Sequence, residues 1–200
     1  MRWLRFDGWI AGLGLGSGAR LVLGHWPGSP FGPVSDVMAE DATGRRTLFA
    51  ATPQLAEFVA ATYRFDAVQV VPVDVTRTGP RWSVDAGPLR FGFTAGRRSP
   101  LGWMLRAVPA GLSRSPVWVR LIDLPARLVL PGVRTHGSAG NGRYEWYGAR
   151  DLAPIVAADG TLDGTDLGGL TPIDPPVRFG FGSTPRAPSL VRITTTVAVP

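Results

Sequence analysis

Apolar residues in this chain fall mostly in short runs separated by glycine and proline, and several runs alternate with polar residues. Residues 20–26, Arg-Leu-Val-Leu-Gly-His-Trp, read as a strand, and residues 34–40 read as its partner across the turn-rich 27–33. Asp41-Ala-Thr-Gly44 predicts a tight turn into a third strand at 45–50, giving a meander. The spacing then changes. Thr52 stands where a helix cap would, Pro53 at the first helical position, and Leu55, Phe58, Val59 and Thr62 follow at helical intervals, which predicts a helix over 53–63.

Strand composition returns at 66–77, but the apolar phase shifts at Val70-Val71 beside Pro72, as an edge strand or a bulge requires. Trp82 and Val84 share one face of a strand at 81–85. In the next strand Leu89, Phe91, Phe93 and Ala95 alternate with Arg90, Gly92 and Thr94. Residues 100–124 break this rhythm. Leu101, Met104, Leu105 and Val108 form one helical stripe, ended by Pro109. After Ser115-Pro116, a second stripe holds Val117, Trp118, Leu121 and Ile122. Further strands are predicted at 127–135, 143–149, 176–181 and 189–198. The fold class is therefore α+β in a single domain, 1–200. A predominantly antiparallel sheet curls into a barrel or half-barrel, with the helix 53–63 and the helical pair 100–124 packed on it.

Composition agrees with many short elements, since Gly 26 and Pro 19 together exceed a fifth of the 200 residues. It also removes whole classes of chemistry. All 21 basic side chains are arginine, so no side-chain amine is present to form a Schiff base. The lack of cysteine excludes a thiol nucleophile, a disulfide framework and a thiolate metal site. Asp7 interrupts the start before an apolar leader can form, and no run approaches the ~20 apolar residues of a membrane-spanning helix. A soluble cytoplasmic protein is the expectation.

Few residues remain as candidates for chemistry. Gly14-Leu-Gly16-Ser-Gly18-Ala19 fits a loose dinucleotide pattern, but strand-like residues follow it where a helix is needed, so it reads as a turn. If 20–26 and 34–40 pair symmetrically about their loop, His25 and Asp36 lie opposite each other on a face with Leu21, Leu23, Val34 and Met38. An imidazole oriented by a carboxylate on an apolar wall suits acid–base work; an ordinary structural histidine explains the same residues. A second cluster runs from His136 to Tyr147. Asn141-Gly142 marks a hairpin, and His136 and Glu145 are its acid–base candidates. Two histidines without HxH or HxxxH spacing give no metal site, and no cofactor is implied.

Charge adds a third candidate surface. Of the net +6, almost all lies between 97 and 127, where Arg97, Arg98, Arg106, Arg114, Arg120 and Arg127 face one acid, Asp123. With Trp103 and Trp118 among them, this segment could meet an anionic membrane surface. A nucleic-acid patch is the weaker alternative because no recognition motif accompanies the charge. Amphipathic helices covering the sheet would explain the pattern with no partner at all.

Pro88-Leu-Arg-Phe-Gly-Phe and the residues to Pro100 match 176–188 at 7 of 13 positions, either as equivalent barrel strands or as coincidence in a Gly-, Pro- and Arg-rich chain. The opening, Phe6-Asp7-Gly8-Trp9-Ile10-Ala11-Gly12 through Gly24-His25-Trp26-Pro27 to Ser29-Pro30-Phe31-Gly32, resembles a group of uncharacterised actinobacterial proteins of similar length, and implies no activity. Ser29-Pro30-Phe31 and the 142–147 region are faintly similar to lipocalin-like carotenoid hydratases, which are larger and usually two-lobed; this implies an apolar ligand and no transferable catalytic residue. The favoured function is binding of a small lipophilic molecule in a pocket lined by Trp9, Trp26, Trp82, Phe91 and Phe93. The alternatives are a hydratase, isomerase or cyclase acting through His25 and Asp36, and a peripheral membrane or interaction protein acting through 97–127.

Overall fold

The alternating runs become one long, strongly bent sheet in the computed structural model, which describes residues 1–113, 119, 134–180 and 184–200. In chain order the elements are β1 (Arg2–Leu15), β2 (Arg20–Gly28), β3 (Val34–Glu40), β4 (Arg46–Ala50), α1 (Pro53–Ala60), β5 (Ala67–Val70), β6 (Asp74–Thr78), β7 (Arg81–Ala86) and β8 (Leu89–Ala95). Then follow α2 (Pro100–Ala107), α3 (Ala110–Ser113), β9 (His136–Ser138), β10 (Tyr144–Leu162), β11 (Thr165–Asp166), β12 (Leu170–Thr171) and β13 (Ser189–Val199). The main strand order is β5-β4-β3-β2-β1-β13-β10-β8-β7-β6. Its two ends do not pair, so the architecture is an antiparallel half-barrel with helices against it, as the α+β reading expects. The parallel pair, β4 with β5, is the one that α1 connects, because a parallel step needs a crossover.

Two features let the sheet fold over itself. The 19-residue β10 pairs with β13 through Pro154 and with β8 from Ile155 onward, and it carries irregularities at Ala149/Asp151 and Ile155/Ala157. Such bulges bend a strand and increase its twist, so β10 turns the corner between two layers. The segment 66–77 is not one strand but two, β5 at one end of the sheet and β6 at the other, with Pro72 between them. Proline cannot donate to a ladder, and here it marks the passage from edge to edge.

Several expectations need correction. The stretch 14–19, read as a turn, does turn after Leu15, with Gly18 at φ +86, but the Gly-rich residues before it form a 14-residue strand where no element is predicted. Glycine at position 8 is required by close approach, since a Cβ there would sit 2.0 Å from the His25 carbonyl oxygen. The strand expected at 176–181 is irregular chain over its described residues, so 176–188 is not the counterpart of β8 and the internal echo marks no repeat. Of the helical pair, α2 forms over the first stripe, with Ser99 accepting from Gly102 N, and a short α3 follows between the two stripes. The second stripe, 117–122, lies outside the described residues apart from Val119, as do residues 127–133 of the strand expected at 127–135, whose residues 134 and 135 are not in a strand. Nor is the first stripe buried, because α2 buries only Gly102 and Met104 is 69% exposed.

Side-chain alternation divides the core in two. Odd-numbered residues of β1 and β2 (Ala11, Leu13, Leu21, Leu23), with Val37 and Phe49, pack on Trp82, Val84, Phe91 and Phe93 of β7 and β8. Even-numbered residues (Leu4, Phe6, Trp26, Val34, Leu48) pack on Leu55, Ala56 and Val59 of α1. The Thr52 hydroxyl caps α1 by accepting from Leu55 N. One sheet is thus covered by strands on one side and by a helix on the other.

Candidate functional site

The register of β2 on β3 decides which groups meet. The pairing is symmetric about the loop, Arg20 opposite Glu40 and Trp26 opposite Val34, but that symmetry sets His25 opposite Ser35 and Gly24 opposite Asp36, not His25 opposite Asp36 as expected. Successive pairs of a ladder point to opposite faces of the sheet. His25 therefore lies on the strand-covered side, its Nδ1 2.9 Å from Ser35 Oγ and its ring against Trp9 and Trp82. Burial lowers its pKa from the ordinary value. Asp36 lies on the helix-covered side with Trp26. The expected His25–Asp36 dyad does not form.

Asp36 instead lines a largely enclosed cavity of about 70 Å³. The sheet supplies Ile10, Val22, Gly24, Trp26, Asp36, Met38, Tyr147 and Thr195; Tyr63, after α1, and Val177, Phe179, Gly180 and Thr184 form the cover. Roughly, this is room for a few waters or a ligand of a few heavy atoms. Trp26 Nε1 donates to Asp36 Oδ1 at 3.1 Å, while Oδ2 has no hydrogen-bond partner among the described residues. Burial pushes the carboxyl up to about 7, against the opposing pull of the Trp26 hydrogen bond. Thr195 Oγ1 is also buried without a partner among the described residues. Gly24 makes the Trp26–Asp36 bond sterically feasible, because a Cβ there would lie 2.6 Å from Trp26 Nε1 and 2.7 Å from Asp36 Oδ1.

A second buried carboxyl stands behind the tyrosines. Tyr63 OH is 3.0 and 2.9 Å from the two Glu145 oxygens, Tyr147 OH is 2.9 Å from Oε2, and the phenol oxygens are 2.8 Å apart. A protonated Glu145 can donate to Tyr147, Tyr147 to Tyr63, and Tyr63 back to Glu145, so that three protons serve three contacts. Ionised, it would leave the phenol–phenol contact without a donor while both phenols point at the carboxylate. Burial raises Glu145 to about 7, opposed by the hydrogen bonds of Tyr147 and Tyr63 and by the charge of Arg143. Burial and the neighbouring Glu145 raise Tyr63 well above its ordinary value. Arg143 is held at the end of α1 by Phe58 O at 2.6 Å and Thr62 Oγ1 at 2.5 Å.

The cover is tied down by a buried charge cluster that sequence reasoning missed. Glu40, 0% exposed, accepts from Arg178 N at 2.7 Å and Arg178 Nε at 2.9 Å, and its Oε1 lies 3.3 Å from Arg20 Nη2. Arg20 also donates to Pro175 O at 3.1 Å, and Arg64 N donates to Phe179 O at 2.7 Å. The sequence signal was one glutamate ending an apolar strand, too little to identify its partner 138 residues away.

Other predicted site residues are dispersed. Trp82 and Phe93 stack at 5.8 Å inside the packed core, and Phe91 and Trp9 join that cluster, so of the five aromatics only Trp26 lines the cavity. His136 pairs with Trp146, one position from Glu145, and so faces away from it; its Nδ1 is 2.5 Å from Tyr144 OH. The Asn141-Gly142 turn forms as expected, with positive φ at both, and Asn141 Nδ2 also donates to Ala61 O at 2.8 Å. In the basic segment Arg98 is held by both oxygens of Asp151 at 2.7 Å and lies 4.5 Å from the Trp103 ring, and Arg106 is 3.9 Å from Asp151. Arg97 is described; Arg114, Trp118, Arg120 and Arg127 lie outside the described residues. No group of three metal-ligating side chains and no helix long and apolar enough to cross a membrane occurs among the described residues.

Chemically, the cavity offers one carboxyl able to hold or release a proton near neutral pH, beside an apolar wall. No family model and no curated protein matches the chain. Among solved structures, it is similar to acetoacetate decarboxylase from Legionella pneumophila, with a TM-score of 0.44 and 8% identity, over 98% of this chain and 84% of that one.

Proposed function

We propose that this protein binds a small, largely apolar molecule in the cavity between the β1–β3 and β13 face and the segment 172–180. One observation carries the reading: an apolar-walled cavity is lined by two buried polar groups, Asp36, whose carboxyl receives a hydrogen bond from Trp26 at one oxygen only, and Thr195, whose hydroxyl is buried without a partner among the described residues. Buried polar groups are normally satisfied, and leaving a hydroxyl such as that of Thr195 unpaired costs about 1–3 kcal/mol. A ligand that pairs with them recovers that cost, while the apolar wall supplies the rest of the affinity. Native mass spectrometry of protein purified from its own host should retain a low-mass ligand, and a Val22→Trp variant that fills the cavity should lose it. Recovery of the same mass from both proteins would sink the proposal.

A second reading concerns α2, where Trp103 is 59% and Met104 69% exposed, with Leu112 of α3 also exposed. Beside Arg97 and Arg106, these side chains suit shallow contact with an anionic membrane surface. Binding to anionic vesicles should weaken with salt and fall on Trp103→Ala. Equal partition onto neutral and anionic vesicles would rule this out.

A further inference from the structure

We propose that the cavity selects a small organic ammonium ion with a short apolar tail, held between the Asp36 carboxylate and the surrounding aromatic rings. This rests on the reading of the cavity as a ligand site and names the chemical class it takes. The argument begins with a count of donors and acceptors. Of the groups lining the cavity, the Trp26 indole N–H is already given to Asp36 Oδ1. The hydroxyl protons of Tyr63 and Tyr147 are engaged in the triangle with Glu145. No arginine and no histidine lines the space among the described residues. The unspent capacity is Asp36 Oδ2, an acceptor when ionised, and the hydroxyl of Thr195, which can also accept. An acceptor-rich, partly desolvated wall calls for a ligand that donates.

Two further features favour a cationic donor over a neutral one. The cavity is bounded by Trp26, Tyr63, Tyr147 and Phe179, and aromatic faces attract an ammonium group through the ring quadrupole. A buried carboxylate with no cation of its own is the costliest group in this site, and an ammonium ion compensates it where a neutral donor only hydrogen-bonds to it. The cavity of about 70 Å³ restricts the ligand to a few heavy atoms, on the scale of methyl- to propylammonium.

The titratable groups facing Asp36 are few. Tyr63 and Tyr147 line the same space, Glu145 lies behind their hydroxyls, and Arg143 lies beyond Glu145. Alkylammonium ions stay charged throughout the neutral range, so the pH dependence of binding reports the protein. Affinity should rise with pH as Asp36 ionises, by about tenfold per unit below its midpoint, and then level off.

Isothermal titration calorimetry of the full chain with propylammonium chloride and with 1-butanol, a neutral analogue of similar size, tests this. At a pH of about 8 the ammonium ion should bind at least about tenfold more tightly than the alcohol, a difference of about 1.4 kcal/mol. The preference should shrink at a pH of about 5.5 and vanish in Asp36→Asn. Should that variant not fold, Thr195→Val and the wild-type pH series carry the same test, since each changes the recognition without removing the carboxylate. Butanol binding as tightly as propylammonium, or an ammonium affinity indifferent to pH, would overturn the ammonium class while leaving the ligand site standing. Binding of neither, with Val22→Trp indistinguishable from wild type, would overturn both.

Discussion

The two faces of the β1–β3 ladder share the same strands and hydrogen bonds yet do opposite things. The odd-numbered face is dry and filled: Leu13, Leu21, Leu23 and Val37 meet Trp82 and Phe93 with almost no exposure. On the even-numbered face, Trp26, Asp36 and Met38 look into a cavity, with Glu145 buried nearby. The histidine fell on the strand-covered face, where with Ser35, Val73 and Val75 it lines an open depression at the rim of the core, and the aspartate fell on the face with the enclosed cavity. Both faces carry a buried core, but the enclosed cavity with its buried carboxyl lies only on the helix-covered one, a single sheet's thickness away.

The largest effect should come from the filled face. Phe93→Ala removes a fully buried ring stacked on Trp82 and should cost about 3–5 kcal/mol in urea unfolding. Met38→Ala, beside existing space, should cost less than half as much. Equal costs would mean that the two faces are packed alike.

Glu40→Gln should approach the same size. It leaves Arg20, 3% exposed, without its counter-charge, and breaking such a buried pair costs about 3–5 kcal/mol. Limited proteolysis should then cut first within 172–180, the segment that Glu40 holds through Arg178. An unchanged digestion pattern would show that the cover is held by something else.

The pH dependence of stability separates the faces more finely. Asp36 and Glu145 are raised to about 7 from 3.8 and 4.5, so the folded chain holds protons that the unfolded chain has released. Their contribution is fully present below the unfolded values, falls as pH rises toward about 7, and is constant above that. Asp66, drawn down to about 2 chiefly by its hydrogen bonds with Arg46, acts oppositely, and its contribution is lost as pH falls through that value. Asp36→Asn should lessen the decline between pH values of about 5 and 8 by on the order of 1–3 kcal/mol. An identical slope in the variant would show that Asp36 does not titrate in the folded protein with a raised pKa.

The smallest change is Gly24→Ala. Its Cβ would press on both partners of the Trp26–Asp36 bond and should cost about 1–3 kcal/mol through strain and the lost contact. Tryptophan fluorescence should shift as the Trp26 indole loses its acceptor. A variant with wild-type stability and emission would show that the bond is dispensable.

Much of the architecture is legible in the order of the residues. The strand at 34–40, the cap at Thr52 and the hairpin at Asn141-Gly142 follow from period, cap chemistry and positive φ, all properties of a few adjacent residues. The apolar alternation in 81–95 likewise identifies a buried face, though as ligand wall rather than as packed core. The glycines of β1 conceal a strand because their reason is distant: the backbone at Gly8 approaches His25, and that at Gly14 approaches Pro172.

Composition and local periodicity are enough to establish a turn-rich antiparallel protein without lysine or thiol chemistry, because both are properties of neighbouring residues. The site is a matter of long-range packing. Symmetric closure of residues 27–33 already puts His25 and Asp36 on opposite faces, but which face encloses a cavity depends on what packs over each. The pairing of Glu145 with Tyr63, of Glu40 with Arg178 and of Asp36 with the cavity spans long stretches of chain. Such contacts come from the packing of one layer on another, which no short window of residues encodes.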